Sequence, residues 1–375
     1  MSTRVNPELR HELREFGAEN VDACFNCGNC TAVCQLSRDS TVFPRKIIRY
    51  LQLGLRDKLL QSPEPWLCYY CGECSETCPR QANPGELMMA VRRYLTSQYD
   101  WTGLSKRLYL SNAWEIGMLL AVGLFVAALF YFLHGPIVTD RVELNTFAPV
   151  VWIELGDWIM AAILSFLLLS NAYRMYRFVM RDEDGIRIPP ALYIQELITL
   201  IVHGLTQKRW SECETPTRWI KHLLLVFGYV TMFLLVVVFL RWFQTDEIHP
   251  FWHPTRLLGY FATAVLLYVT ADAIISRLRK REEIHKHSHP TDWMFLILLF
   301  LTALTGIVVH VLRLGGFPLP TYYMYVIHLM IAVPMLVIEV PFGKWAHLAY
   351  RPLVIYLMRV KERAQESATV PAIAA

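Results

Sequence analysis

The chain has 375 residues, 54% of them apolar, and a mean hydropathy of +0.32. A soluble domain sits nearer ~45–50% apolar, so part of this chain is expected in a membrane. The net charge of +4 is too small to suggest a nucleic-acid partner.

Residues 1–110 read as a small helical domain. Its opening stretch, MSTRVNPELRHELREFG, is polar and has no apolar core of the secretory kind, so the domain is expected in the cytoplasm. A charged helix at about 6–19 leads into a run of four cysteines, Cys24, Cys27, Cys30 and Cys34. A second run, Cys68, Cys71, Cys74 and Cys78, is followed by Pro79. Both read C-x2-C-x2-C-x3-C, the spacing at which three thiolates aim at one cubane cluster and the fourth reaches a second. The expected assignment is therefore crossed. Cys24, Cys27, Cys30 and Cys78 hold one [4Fe–4S] cluster, and Cys68, Cys71, Cys74 and Cys34 hold the other. In a reducing compartment such cysteines are ligands rather than disulfides. Two zinc sites are the competing reading, although zinc ribbons use cysteine pairs separated by longer loops. Cys213 stands alone and is expected to be an unligated thiol. Proline-initiated amphipathic helices are expected from Pro44, between the runs, and from Pro84, after them.

Six apolar stretches follow, near 114–134, 151–178, 219–242, 257–277, 292–313 and 322–343. Each is long enough to cross a hydrocarbon layer ~30 Å thick. The 2–3 connection carries Arg181, Arg187, Lys208, Arg209, Arg218 and Lys221, and the 4–5 connection carries Arg279, Lys280, Arg281 and Lys286. Arg351, Arg359, Lys361 and Arg363 follow the last span, in a segment 351–375 expected to be a cytoplasmic tail with an unstructured end from Ser367. The opposite connections have few basic residues, so the basic side is the cytoplasm and both termini lie there. Residues 189–210 are expected to form an interfacial amphipathic helix rather than a seventh span, with a re-entrant segment as the alternative.

Ionisable groups inside spans are costly and usually functional. His222 and His347 fall at the cytoplasmic ends of spans 3 and 6, and His310 and His328 toward the outer ends of spans 5 and 6. His328 and His347 are 19 residues apart, or ~28 Å on one helix, which suits two stacked groups rather than one. Bis-histidine ligation of b-type haem needs such pairs on neighbouring helices, giving His222–His347 and His310–His328. The plainer alternative is that a lone span histidine bonds two helices together. His203 is ambiguous, and the loop histidines His134, His249, His253, His285, His287 and His289 are expected to be solvated. Arg241, His253, Arg256 and Arg313 lie near the outer surface and are candidates for binding a quinone, or else are snorkelling interface residues.

The two cysteine runs with their intervening helix resemble the C subunit of heterodisulfide reductase. The segment Val340-Pro-Phe-Gly-Lys-Trp-Ala-His347, with His328 upstream, resembles the last span of the respiratory nitrate reductase gamma subunit. The two in this order resemble the C subunit of the quinone-interacting membrane-bound oxidoreductase. That resemblance implies an all-α protein, with an N-terminal dicluster ferredoxin-like domain and a six-helix cytochrome b bundle over 111–350. It implies haem b, and electron exchange between menaquinone and cytoplasmic flavin- and iron–sulfur-containing subunits in a prokaryotic inner membrane. It also implies sulfur metabolism beside adenylylsulfate reductase. One departure stands out. The nitrate reductase cytochrome places two partner histidines ten residues apart on one helix, whereas here His222 is followed ten residues later by Met232. The outer haem therefore needs His310 as a substitute ligand or is absent. A membrane component of a heterodisulfide reductase-type complex and a zinc-stabilised anchor without redox function are the competing functions.

Overall fold

The computed structural model describes residues 4–37, 42–181, 188–212 and 216–373. Arg187, Cys213 and the last two residues lie outside these. Every regular element among the described residues is helical.

The N-terminal domain wraps short helices around the two cysteine loops. Helix Arg45–Gln52 puts Ile47, Ile48 and Leu51 on one face and buries them completely. Helix Pro84–Tyr99 is the domain's spine. The side chain of Asn83 accepts from the Glu86 amide at its start, and Pro84 occupies the first turn, where no amide is needed. Its Leu87, Met88, Val91 and Leu95 are buried.

The last helix, His347–Ile373, changes the expected domain division. Tyr350, Val354, Leu357 and Val360 recur at helical spacing and are buried in the same core as Leu9, Phe16, Trp66 and Tyr99 of the N-terminal domain. The segment expected to be a tail is thus part of that domain's core. Its basic residues are interspersed along the same helix, Arg351 itself being buried against the domain, so their presence gave no warning of the packing. The helix is described to Ile373, beyond the point at which an unstructured end was expected.

Six helices are long and apolar enough to span a membrane: Asn112–Leu133, Val150–Val179, Pro216–Val238, Pro254–Leu278, Pro290–Leu314 and Pro318–Phe342. Four begin on proline, a residue that suits the first helical turn. The third and sixth contain π-helical turns, Leu234–Val238 and Met335–Glu339. Residues 189–210 form two short helices, Pro190–Gln195 and Leu197–Thr206, with a 3-10 turn from Lys208. Neither could cross a bilayer. Ile194, Ile198, Ile201 and Leu205 are exposed, as an interfacial segment requires. The opposite side packs on the last helix, where the Tyr356 hydroxyl donates to the Tyr193 carbonyl at 2.8 Å.

Candidate redox sites

The two cysteine runs fold alike. In each, the second residue after the first cysteine takes a left-handed conformation, Asn26 at φ 61° and Tyr70 at φ 55°. Its amide donates to that cysteine's sulfur: Asn26 to Cys24 at 3.3 Å, Tyr70 to Cys68 at 3.4 Å. A glycine with positive φ then follows the next cysteine, Gly28 at 93° and Gly72 at 98°, and starts the short helix that carries the third. The fourth cysteine crosses over. The thiols that act on Cys30 are Cys24, Cys27 and Cys78, while Cys68 and Cys71 act on Cys34. Cys34, Cys68, Cys71 and Cys74 line one small cavity.

Burial, reinforced by the neighbouring thiols, pushes Cys30 and Cys34 up to about 11 and Cys74 well above the ordinary thiol value. Among the described residues, no three His, Cys, Asp or Glu side chains converge as one metal ion would need. Two quartets around shared spaces suit polynuclear clusters better than tetrahedral zinc.

The second run is tied to the last helix, to the third span and to the 4–5 connection. Arg351 donates to the carbonyls of Trp66 (3.0 Å) and Cys68 (3.2 Å), and Arg92 also reaches the Cys68 carbonyl. Arg218, at the start of the third span, donates to the Tyr70 carbonyl at 3.1 Å. The 4–5 connection closes over Gly72, where an added Cβ would sit 2.9 Å from Ile284. A buried ion network holds the domain to span 5 and to the turn that follows span 6. Arg93 bridges Glu86 (2.8 Å) and Asp292 (3.2 Å), and Asp292 also binds Lys344 (2.7 Å).

A file of rings runs from this loop into the bundle. Tyr69 stacks on Trp210 with centroids 5.0 Å apart, Trp210 lies 4.7 Å from His222, and His222 lies 5.9 Å from His347. His347 is not in the sixth span. That span ends at Phe342, and Gly343 and a 3-10 turn intervene, so the 28 Å single-helix separation from His328 does not apply. Nδ1 of His347 bonds the Lys344 carbonyl, which fixes the ring proton there and leaves Nε2 with its lone pair. Nδ1 of His222 and of His203 are buried without hydrogen-bond partners. His347 and His203 line a cavity of about 480 Å³ together with Tyr69, Tyr229, Trp345 and Arg351. His203, ambiguous in the sequence, thus joins this inner group.

A second cavity, of about 290 Å³, lies in the outer half of the bundle. It is lined by His328, Met232, His310, Arg256, Tyr260 and Arg313, among others. His328 Nδ1 bonds Thr305 Oγ1 at 2.9 Å, and its ring packs where Gly306 has no side chain. His328 is therefore level with residues 305–306 of the fifth span, about one turn deeper than His310. Nε2 of His310 is held at 2.8 Å by the Tyr260 hydroxyl. His310 and His328, the expected outer pair, line one cavity but differ in depth, and Nε2 of His310 is engaged by Tyr260. Of the quinone candidates, Arg256 and Arg313 line this cavity. Arg241 pairs with Glu154 at the surface (2.6 Å), and His253 bonds Thr255 (2.7 Å) and stacks on His249. Tyr260 was missed; the only signal for it was its position one turn after Arg256.

Residues 20–82 match the family model of the 4Fe-4S dicluster domain. The chain is 40% identical over 98 residues to a protein of Archaeoglobus profundus described as like the C subunit of heterodisulfide reductase, covering 26% of this chain and 52% of that one. It is 38% identical over 96 residues to the iron-sulfur C subunit of the CoB–CoM heterodisulfide reductase of Methanopyrus kandleri, covering 24% and 50%. It is 31% identical over 88 residues to the C subunit of the H2:CoB-CoM heterodisulfide,ferredoxin reductase of Methanothermobacter thermautotrophicus, covering 24% and 48%. The chain spans about half the length of these curated relatives. No solved structure matches. The protein is therefore a multi-pass, membrane-type helical chain whose N-terminal part is an electron-transfer dicluster domain of the kind found in the heterodisulfide reductase C subunit.

Proposed function

We propose that the chain is the membrane subunit of a redox complex, passing electrons between a quinone pool and cytoplasmic flavin- and iron–sulfur-containing partners. The observation that carries this is the ring file Tyr69–Trp210–His222–His347, which joins the second cysteine loop to a cavity inside the bundle. Bound at these sites, two [4Fe–4S] clusters and haem b would supply the one-electron steps.

The residues of this chain have separable tasks in that reading. The crossed cysteine quartets hold the two clusters side by side. His347, with His222 5.9 Å away, is the inner haem position, and His328 is the outer one. Both His347 and His328 have Nδ1 fixed by a hydrogen bond, so Nε2 is oriented toward a ligand. Met232 lines the same cavity as His328 and is the side chain able to complete that site. Tyr69 and Trp210 exclude water from the gap between cluster and haem. The complex would lie in a prokaryotic cytoplasmic membrane with both termini inside. Its substrate is menaquinone, and its setting is sulfur metabolism beside adenylylsulfate reductase, as the resemblance to the quinone-interacting oxidoreductase implies.

The test is the reduced-minus-oxidised absorbance spectrum of the purified chain, with haem quantified as pyridine haemochrome. Haem b bands and iron–sulfur charge-transfer absorbance are expected. His347→Ala should remove the inner haem while leaving cluster absorbance intact. A colourless chain would sink the proposal, and full haem content in His347→Ala would sink the inner assignment.

A further inference from the structure

The outer cavity contains a hydrogen-bonded triad that the electron path does not use. Arg256 lies in the first turn of the fourth span and Tyr260 one turn deeper, so they share a face. Arg256 donates to the Tyr260 hydroxyl from Nη2 (2.7 Å) and Nε (3.2 Å), and its Nη1 is tied to the His249 carbonyl. A guanidinium can only donate, so the Tyr260 oxygen accepts on that side. Its own proton is then directed to Nε2 of His310, 2.8 Å away. This fixes His310 as the tautomer protonated on Nδ1. That donor has no protein acceptor among the described residues, and the His310 ring lines the cavity.

The walls narrow the class of ligand. Val236, Leu240, Phe243 and Ile307 make them largely apolar. Asp157 lines the same cavity, and its Oδ2 is buried without a hydrogen-bond partner. An anion would meet that carboxylate and those apolar walls, although Arg256 and Arg313 are near. A flat, neutral ring with a carbonyl at its edge and an apolar tail meets neither objection. Tyr260 is six residues inside the span, or ~9 Å deep, within reach of a lipid-borne head group.

We propose that Arg256, Tyr260 and His310 form the head-group site of an isoprenoid quinone, with the Nδ1–H of His310 and the Arg256 guanidinium as carbonyl donors. This rests on the quinone reading of the chain and gives it a location. It also takes His310 away from iron. Tyr260 is a positioning residue: it fixes the tautomer and ring orientation of His310.

The test uses the full chain in lipid nanodiscs, titrated calorimetrically with a menaquinone carrying two isoprene units. Haem content and cluster absorbance are read on the same samples. Wild type should bind. Tyr260→Phe, Arg256→Gln and His310→Gln should each weaken binding by about tenfold while keeping haem and clusters. Tyr260→Phe is the mildest change and guards against a folding defect. Wild-type binding that is unchanged in all three variants overturns the site and leaves the quinone reading standing. Loss of haem in His310→Gln also overturns it, because His310 would then be an iron ligand. No binding by wild type overturns both.

Discussion

The two cysteine runs are the same loop in different surroundings. Both use a left-handed residue, an amide bonded to sulfur and a positive-φ glycine in the same order. The second loop is clamped by Arg92, Arg351 and Arg218 and capped by Ile284. Beside the first, Phe25 is 70% exposed, with Arg80 stacked on its ring. The repeat makes two similar centres; the unrepeated contacts give them different neighbours. In the proposed electron path, the second loop faces the membrane and the first faces a partner.

The largest expected effect comes from breaking one quartet at a time. Cys30→Ser and Cys74→Ser should each lower non-haem iron from about eight to about four per chain, read by an iron assay that excludes haem iron. Their consequences should differ. With Cys74 replaced, the remaining cluster loses its link to the bundle, and reduction from the membrane side should stop. With Cys30 replaced, reduction of the remaining cluster should continue, while transfer to any soluble acceptor slows. Equal behaviour of the two variants would remove the distinction drawn between the loops.

A smaller but still large effect is expected at the seam between domain and bundle. Arg93 is buried and bridges Glu86 and Asp292, so Arg93→Met takes away the ion-pair partner of Glu86 and leaves Asp292 with Lys344 alone. Breaking one side of such a buried pair costs about 3–5 kcal/mol. The expected outcome is a lower thermal midpoint and faster proteolysis between the N-terminal domain and the first span, with the spans intact. Asp292→Asn should behave in the same direction, because it leaves Arg93 and Lys344 short of a partner. Wild-type stability in both would mean that the network holds nothing together.

What the sequence made legible follows from the range of each interaction. The cysteine spacing and the six apolar stretches are local patterns, and both carried over into the structure. Span starts were read one to four residues late, most where proline and polar first turns depress hydropathy: Pro216 against 219, Pro318 against 322. Packing of the last helix was also legible, in the spacing of Tyr350, Val354, Leu357 and Val360, but the basic residues interspersed along the same helix masked it. The levels of His310 and His328 were not. Relative depth depends on how spans 5 and 6 are staggered, and only contacts such as Thr305–His328 fix that. The position of His347 depended on a break at Gly343 that helix arithmetic does not see.

The smallest predicted effect separates the seam from the spans by pH. His289, expected to be solvated, is partly buried just before the fifth span, and its Nδ1 accepts from the Thr291 amide at 3.4 Å. Burial first, and then the nearby charge of Arg93, pull its pKa down from 6.5 to about 4; Asp292 opposes this and Lys344 adds to it. Between those values the unfolded chain binds a proton at this site and the folded chain does not. Stability therefore falls as pH drops below about 6.5 and levels off near 4. His289→Asn keeps an acceptor at the cap but does not titrate. Carboxylates elsewhere contribute equally to both proteins, so the difference between them isolates His289. The thermal midpoint of wild type should fall more steeply than that of His289→Asn between pH 6.5 and 4. Parallel curves would show that the histidine is as well solvated in the folded chain as in the unfolded one.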